Sequence, residues 1–169
     1  MDGVYGLRYF TYISEELPAA MQRLFGLSAA REKNFVMGLS MGGYGALKCA
    51  LTHPERYAGA AGFSSVCDAQ AFFDDPTMPS MEREKTALTG FGGKVPPESD
   101  LRALLQQAED LPPLYLSCGE EDMLYPMNLE FVRALGEKGA DFRFDHRPGT
   151  HSWEFWDRSL QDAFARFFD

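Results

Sequence analysis

Short apolar runs alternate with amphipathic segments along most of the chain. Four runs of apolar or alternating residues predict β-strands, at 35–39, 57–65, 111–119 and 141–147. Five other segments are predicted as helices, at 7–26, 41–53, 98–108, 127–139 and 153–168. Strands that alternate with helices indicate βαβ units, so we predict an α/β fold with a mostly parallel sheet and helices on both faces.

The segment 68–110 differs from the rest of the chain. It is polar, rich in Pro and Gly, and is predicted to contain one or two short helices, the clearest at 98–108. Long connections in α/β domains are usually lids or binding loops rather than core. We therefore predict a single α/β domain over residues 1–169, with 68–110 as a lid-like insert.

Residues 38–42, Gly-Leu-Ser-Met-Gly, match the pattern G-x-S-x-G. The pattern is weak alone, but here it lies between a predicted strand and a predicted helix, the context in which a serine is held on a strained turn above a sheet. Glycines two residues to either side leave room for that turn. The free N–H groups of the following helix can stabilise an oxyanion. Ser40 is therefore the candidate nucleophile.

A serine hydroxyl needs an adjacent base, and the chain has three histidines. His151 lies in a glycine-containing loop after the last predicted strand, at the end of the sheet where α/β proteins build their sites, and is the predicted base. His146, inside that strand, is a second candidate for which a structural role is favoured. His53, after the helix that follows Ser40, is expected to cap or pack.

The base needs a carboxylate that fixes its tautomer, and the order along the chain in this architecture is Ser, then Asp or Glu, then His. Asp122 follows the third predicted strand and is the predicted carboxylate. Its neighbours Glu120 and Glu121 are expected to be solvated. Three further aspartates follow the second predicted strand and are less well placed: Asp68, Asp74 and Asp75.

Composition and charge exclude several other classes of protein. The chain has 169 residues, of which 45% are hydrophobic, and this fits one globular domain. A net charge of -9 argues against a nucleic-acid partner and against an anionic membrane surface. No apolar run is long enough to span a membrane and no secretory signal is recognisable. The three cysteines have no metal-ligand spacing, and their sparse use indicates reduced, buried thiols in a cytoplasmic protein: Cys49, Cys67 and Cys118.

Four segments resemble the esterase D-like branch of the α/β-hydrolases, at 9–18, 38–64, 114–125 and 149–156. That branch includes tributyrin esterases, S-formylglutathione hydrolases, feruloyl esterases and the related mycolyltransferases. The resemblance extends over nearly the whole chain, and its most specific parts are Ser-Met-Gly-Gly-Tyr-Gly and Gly-x-His-x-Trp. It implies an α/β-hydrolase fold and a catalytic triad of Ser40, Asp122 and His151.

The chain departs from this resemblance ahead of the nucleophile strand. Members of the fold have several earlier strands, and we find none before residue 35. The fold is therefore predicted to be N-terminally truncated. The strand 35–39 is expected to have an open apolar edge, covered by a homo-oligomer or by a missing N-terminal segment. The resemblance places one oxyanion donor at the N–H of Met41 and the other in the missing region.

The predicted function is hydrolysis of a small-molecule carboxylic ester with a short-chain or aromatic acyl group, through an acyl-enzyme and without a metal or organic cofactor. The alternatives are a thioesterase of the S-formylglutathione hydrolase kind, an acyltransferase, and an inactive fragment or binding module that keeps the serine turn. Trp153 is the predicted substrate-binding residue. The aromatic residues that could form the pocket are Phe72, Phe73, Phe91, Trp153 and Phe155.

Overall fold

The computed structural model describes residues 2–3, 6 and 8–168. Within this part of the chain, four parallel strands form one sheet in the order β1-β2-β3-β4. The strands are β1 at Phe35–Leu39, β2 at Gly59–Phe63, β3 at Leu114–Gly119 and β4 at Phe142–Arg147. Each lies inside a segment that the sequence predicts as a strand. Because the strands are parallel, the loops that follow them meet at one end of the sheet.

The helices are distributed over both faces of the sheet, as predicted. One face carries α3, α6 and α7, and the other carries α8. Their bounds are α1 Tyr9–Thr11, a π-helical turn Tyr12–Glu16, α2 Leu17–Phe25, α3 Met41–Thr52, α4 Ala69–Asp74, α5 Glu82–Thr89, α6 Leu101–Gln107, α7 Tyr125–Lys138 and α8 Trp153–Phe168.

The helix predicted near the N-terminus forms as α1, the π-helical turn and α2 in direct succession. Pro18 gives a physical reason for the turn, because it has no N–H for the carbonyl of Ser14 and its ring crowds that carbonyl. The Ser14 carbonyl instead accepts a hydrogen bond from Nη1 of Arg56 at 2.7 Å. Gly26 ends α2 with a φ of 66°, a left-handed conformation that favours glycine.

Alternate residues of the central strands supply two hydrophobic layers, one on each face. The larger layer joins β2 and β3 to the helices α3, α6 and α7, and its fully buried members include Leu47, Leu101, Leu105, Leu114, Leu116, Phe131 and Leu135. The smaller layer lies under α8 and contains Ala61, Phe63, Tyr115, Phe155, Trp156 and Ala163. The two layers hold the sheet rigidly beneath the loops at its carboxyl end.

The segment 68–110 only partly fits the expectation that it lies outside the core. It contains three α-helices, α4, α5 and α6, and two 3₁₀ turns at Gly90–Gly92 and Pro97–Ser99, more than the one or two short helices predicted. Leu101 and Leu105 of α6 are 1% and 2% exposed and belong to the larger hydrophobic layer. Apolar residues one turn apart on a short helix give it a buried face even inside a polar segment, which the overall composition of 68–110 conceals.

β1 is less buried than the sequence predicts. An uninterrupted apolar run suggested a strand covered on both faces, yet all five residues of β1 are only partly buried, whereas every residue of β2 and β3 is buried. The reason is that β1 stands at the edge of the four-stranded sheet.

No helix among the described residues is long and apolar enough to cross a lipid bilayer.

Candidate active site

Ser40 occupies the sharp turn between β1 and α3, with φ 53° and ψ -120°. Its N–H donates to the carbonyl of Phe63 at 2.8 Å, and its own carbonyl accepts the N–H of Tyr44 at 3.2 Å. A Cβ on Gly38 would lie 2.1 Å from the carbonyl oxygen of Gly42. The turn therefore requires glycine at position 38, because the start of α3 folds back directly over it, while a Cβ on Gly42 would meet open space.

Ser40 and Asp122, two of the three residues predicted to act together, each lie within hydrogen-bond distance of the third, His151. Nε2 of His151 is 3.0 Å from Oγ of Ser40, and Nδ1 of His151 is 2.9 Å from Oδ2 of Asp122. An ionised carboxylate only accepts hydrogen bonds, so the proton belongs on Nδ1, and Nε2 is left to accept the hydroxyl proton of Ser40. The arrangement has the connectivity of a serine nucleophile with its general base.

Asp122 is held at both of its carboxylate oxygens. Oδ1 accepts the N–H of Leu124 at 2.9 Å while Oδ2 faces His151. The Asp122 side chain is 0% exposed, compared with 22% for that of His151. A buried carboxylate that accepts hydrogen bonds at both oxygens is fixed in direction, so it can hold one tautomer and one orientation of the imidazole.

Trp156 supports His151 from the opposite side, and the sequence did not single it out. The two rings meet edge to face with centroids 4.7 Å apart. The indole Nε1 of Trp156 donates to Oγ of Ser64 at 3.1 Å, which fixes the ring. Ser152 directly precedes α8, and its Oγ accepts the N–H of Phe155 at 3.4 Å. A serine just before a predicted helix is a known N-cap signal, and it would have placed Trp156 one turn from His151.

The other histidines make structural contacts away from Ser40. Nδ1 of His146 lies 2.9 Å from Oε1 of Glu120, and its ring stacks on Phe144 with centroids 5.4 Å apart. His53 follows the last residue of α3 and stacks on Phe10 at 6.0 Å. Both therefore take the packing roles that the sequence favoured for them.

The remaining aspartate candidates serve the segment 68–110. Asp68 caps α4 by accepting the N–H of Ala71 at 2.9 Å, and Asp74 pairs with Nζ of Lys85 at 2.8 Å. Asp75 accepts the N–H of Thr77 at 2.8 Å. Glu121 is exposed, as expected, and its carboxylate also accepts the backbone N–H of Gly149, two residues before His151.

Met41 is the first residue of α3, and its N–H therefore has no carbonyl partner within the helix. It adjoins Ser40 at the N-terminal end of the helix dipole, where an oxyanion is stabilised. In the described part of the chain, no strand pairs with the outer side of β1. The second oxyanion donor is expected in the missing N-terminal region.

A small apolar cavity of about 90 Å³ adjoins the nucleophile. Its lining comes from the turn at Ser40 and from the segment 68–110, and comprises Ser40, Met41, Tyr44, Val66, Ala69, Phe72, Phe73, Met81 and Glu84. A second opening of about 260 Å³ lies between β1 and α8 and includes Leu39, Trp153 and Trp156. Trp153 is 73% exposed and belongs to this second opening. Phe91 is 97% exposed and Phe155 is 6% exposed, and neither lines the cavity at Ser40.

The cysteines near the site are unsuited to act as nucleophiles. Burial, with a further contribution from the charge of Asp122, raises the pKa of the Cys118 thiol to about 12. Burial also raises the pKa of Cys67 well above its ordinary value. The thiolate is the reactive form of cysteine, so both groups are unreactive at neutral pH. Among the described residues, no group of three or more His, Cys, Asp or Glu side chains could hold a metal ion.

Two curated proteins illustrate the similarity in sequence. An acetyl esterase of Caldicellulosiruptor saccharolyticus is 26% identical over 162 residues, a match that covers 90% of this chain and 61% of the relative. An S-formylglutathione hydrolase of Mus musculus is 35% identical over 166 residues, covering 88% of this chain and 52% of the relative. The chain therefore spans between about half and two thirds of the length of these relatives.

Two solved structures from Staphylococcus aureus superimpose closely on this chain. One is FphF, a fluorophosphonate-binding serine hydrolase solved with substrate bound, with a TM-score of 0.88, 32% identity, and coverage of 100% of this chain and 67% of that chain. The other is the S-formylglutathione hydrolase FrmB, with a TM-score of 0.86, 33% identity, and coverage of 98% and 66%. The fold is thus that of the α/β-hydrolases. The model of the Esterase family matches residues 3–167, and the chain accordingly belongs to that family.

Proposed function

We propose that this chain carries the acyl-transfer site of a serine esterase that hydrolyses carboxylic esters through an acyl-enzyme. One observation carries the proposal: Oγ of Ser40, the imidazole of His151 and the buried carboxylate of Asp122 form a continuous hydrogen-bonded series. Membership of the Esterase family agrees with it. The serine acts as nucleophile, the histidine as general base and then acid, and the aspartate orients the imidazole.

The proposed reaction has two halves that mirror each other. Oγ of Ser40 attacks the ester carbonyl while Nε2 of His151 takes its proton, and the imidazolium then gives that proton to the departing alkoxide. The ester C–O bond breaks and the acyl group remains on the serine. Water attacks this acyl-enzyme, again losing its proton to Nε2, and collapse of the intermediate releases the acid and returns the proton to Ser40.

The proposed oxyanion site begins with the N–H of Met41 at the start of α3. A second donor belongs on the outer side of β1. We therefore propose that the exposed edge of β1 pairs with a further polypeptide segment. The S. aureus structures support this proposal, because about a third of their length has no counterpart in this chain. A second copy of the chain on the same edge is the alternative outcome, and solution mass separates the two.

The proposed substrate is a small ester with a short acyl group. The cavity beside Ser40 measures about 90 Å³, which suits a few carbon atoms better than an aromatic acid. Phe72, Phe73 and Met81 reach it from the segment 68–110, which supports a lid role for that segment. Trp153 is proposed to contact the substrate from the wider opening beside β1.

Thioester hydrolysis is the second candidate function. It is favoured by the similarity to S-formylglutathione hydrolases from mouse and S. aureus, at 35% and 33% identity. The same three residues serve both reactions, because the choice of leaving group depends on the pocket.

The buried, unpaired thiols of Cys49, Cys67 and Cys118 agree with the reducing compartment in which we propose that the protein acts.

The test of the proposed function is covalent labelling with a fluorophosphonate, followed by intact mass and peptide mapping. We expect one adduct, on Ser40, that is absent in Ser40→Ala and at least about 10³-fold slower in His151→Ala. His146→Ala is the matched control, since His146 lies in β4 with its ring on Phe144, and its labelling rate should equal that of the wild-type protein.

Two results would contradict the proposal. Folded protein that gives no adduct would mean that the serine is not activated in this chain, as expected of an inactive fragment or binding module. An adduct that persists in Ser40→Ala would assign the nucleophile to another residue.

A further inference from the structure

The histidine loop, residues 148–152, is attached to the loop after β3 at two points. The first is the hydrogen bond between His151 and Asp122 at 2.9 Å. The second is at Gly149, whose N–H donates to the side-chain carboxylate of Glu121 and whose carbonyl accepts the N–H of Glu121 at 3.0 Å. The adjacent residues Glu121 and Asp122 therefore hold the two ends of the segment 149–151, which ends at the proposed base His151.

The packing around Gly149 leaves that residue little freedom. A Cβ on Gly149 would lie 2.6 Å from the ring of Phe155. On the other side, a Cβ on Gly119 would lie 2.1 Å from the carbonyl oxygen of Gly149. Within the described chain, the Glu121 carboxylate is the acceptor for the Gly149 N–H. The side chain of Glu121 thus completes a site that is otherwise shaped by close backbone contacts.

We propose that Glu121 is a positioning residue for the base. Its carboxylate fixes Gly149, and the two residues that follow then place the imidazole of His151 so that Nε2 faces Ser40 at 3.0 Å. This inference rests on the proposed function, in which His151 removes the serine proton. Proton transfer depends on close alignment of donor and acceptor, so a loosened histidine loop should slow the chemical step more than it weakens binding.

Glu120 provides a matched comparison within the same loop. It carries the same charge, but its carboxylate pairs with Nδ1 of His146 at 2.9 Å instead of contacting the histidine loop. Its side chain is 42% exposed, and that of Glu121 is also exposed. Neither substitution removes buried apolar surface, so we expect both variants to stay folded.

The experiment compares fluorophosphonate labelling of Ser40 in four proteins: the wild type, Glu121→Ala, Glu121→Gln and Glu120→Ala. The labelling rate is measured against probe concentration, which separates the maximal rate from probe binding. We expect Glu121→Ala to lower the maximal rate about tenfold with little change in binding. Glu121→Gln should stay within about twofold of wild type, because its amide oxygen still accepts the Gly149 N–H. Glu120→Ala should match the wild type.

Comparing Glu121→Ala with Glu121→Gln separates the effect of losing the hydrogen-bond acceptor from the effect of losing the negative charge. Both substitutions remove the negative charge near His151, and only alanine removes the acceptor. Equal slowing in the two variants would assign the effect to charge and overturn the inference, as would an unchanged rate in Glu121→Ala. A loss of folding in Glu121→Ala, measured by thermal unfolding, would show a structural role instead. Failure to label the wild-type protein at Ser40 would overturn the proposed function first.

Discussion

The two sides of β1 differ in how completely the molecule is built around them. Toward β2, the strand is paired along its length, and the N–H of Ser40 continues this pairing by donating to Phe63 at 2.8 Å. Asp122 and His151 are reached on this side, across β3 and β4. On the other side, no strand pairs with β1 among the described residues.

This difference separates two parts of the proposed serine esterase site, the groups that would move the proton and the donors that would bind the oxyanion. The groups proposed to move the proton lie in the loops after β1, β3 and β4, and the four strands bring those loops together. The proposed oxyanion donors are the N–H of Met41, at the start of α3, and a second donor that we propose on the outer side of β1. The first half of the site can thus be tested in this chain without the second.

Asp122→Asn should produce the largest effect and tests the paired side directly. An asparagine side chain can turn its NH₂ group toward Nδ1 of His151, which places the imidazole proton on Nε2 and leaves no acceptor for the Ser40 proton. We expect the rate of Ser40 labelling to fall about 10³–10⁴-fold. The rate is measured by intact mass against time, at equal probe concentration.

Glu120→Gln is the control for Asp122→Asn, since it neutralises a carboxylate in the same loop that contacts His146 instead of His151. Its labelling rate should not change. A comparable fall in both variants would show that the reaction depends on the charge of the loop and not on the tautomer of His151. Thermal unfolding of each variant checks that the buried site stays folded.

Much of the paired side could be predicted from the sequence. The serine turn is determined by local rules, because G-x-S-x-G between a strand and a helix requires glycine at position 38. The loops of Asp122 and His151 follow strands that are recognisable as apolar runs, and parallel strands bring such loops to one end of the sheet. The structure places these three residues in contact, and their catalytic roles remain the proposal tested above.

The contacts that support the base could not be predicted in the same way. Glu121 contacts Gly149 from a loop 28 residues earlier in the chain. The start of the last helix was predicted correctly, but it does not show that the ring of Trp156 meets that of His151. An exposed glutamate beside two other acidic residues carries no local signal of its partner. The predicted burial of β1 was also wrong, because an apolar run predicts that a strand forms but not whether it is central or at the edge of the sheet.

A pair of proline substitutions tests whether the outer side of β1 is free. The backbone N–H groups of successive residues point to opposite sides of a strand. Because the N–H of Ser40 points toward β2, the N–H of Val36 also points toward β2, and the N–H of Met37 points outward. Val36→Pro should therefore lower the free energy of unfolding by about 3 kcal/mol or more. Met37→Pro should cost clearly less, because it removes an N–H that has no strand partner among the described residues.

Chemical denaturation of the two proline variants measures this difference, and solution mass is recorded alongside. Equal losses in Val36→Pro and Met37→Pro would mean that the outer N–H is engaged. If that loss came with a change from dimer to monomer, a second copy of the chain would be the cover of the edge. Unequal losses in a monomer would leave the edge available to a different polypeptide segment.

The smallest expected effect concerns the cavity proposed to bind the acyl group, which is lined by Ser40 and by residues of α4. Phe73→Ala should enlarge the cavity of about 90 Å³ beside Ser40. We choose Phe73 because Phe72 also packs against the larger hydrophobic layer, so its loss would destabilise the fold. Extra space for a few methylene groups should shift the ratio of hexanoate to acetate ester hydrolysis about tenfold toward the longer acyl group.

Phe91→Ala is the matched control in the same segment, since Phe91 does not line the cavity. Rates with p-nitrophenyl acetate and hexanoate give the ratio directly. An unchanged ratio in Phe73→Ala would place the acyl group elsewhere, and the opening beside Trp153, between β1 and α8, would then become the site to test.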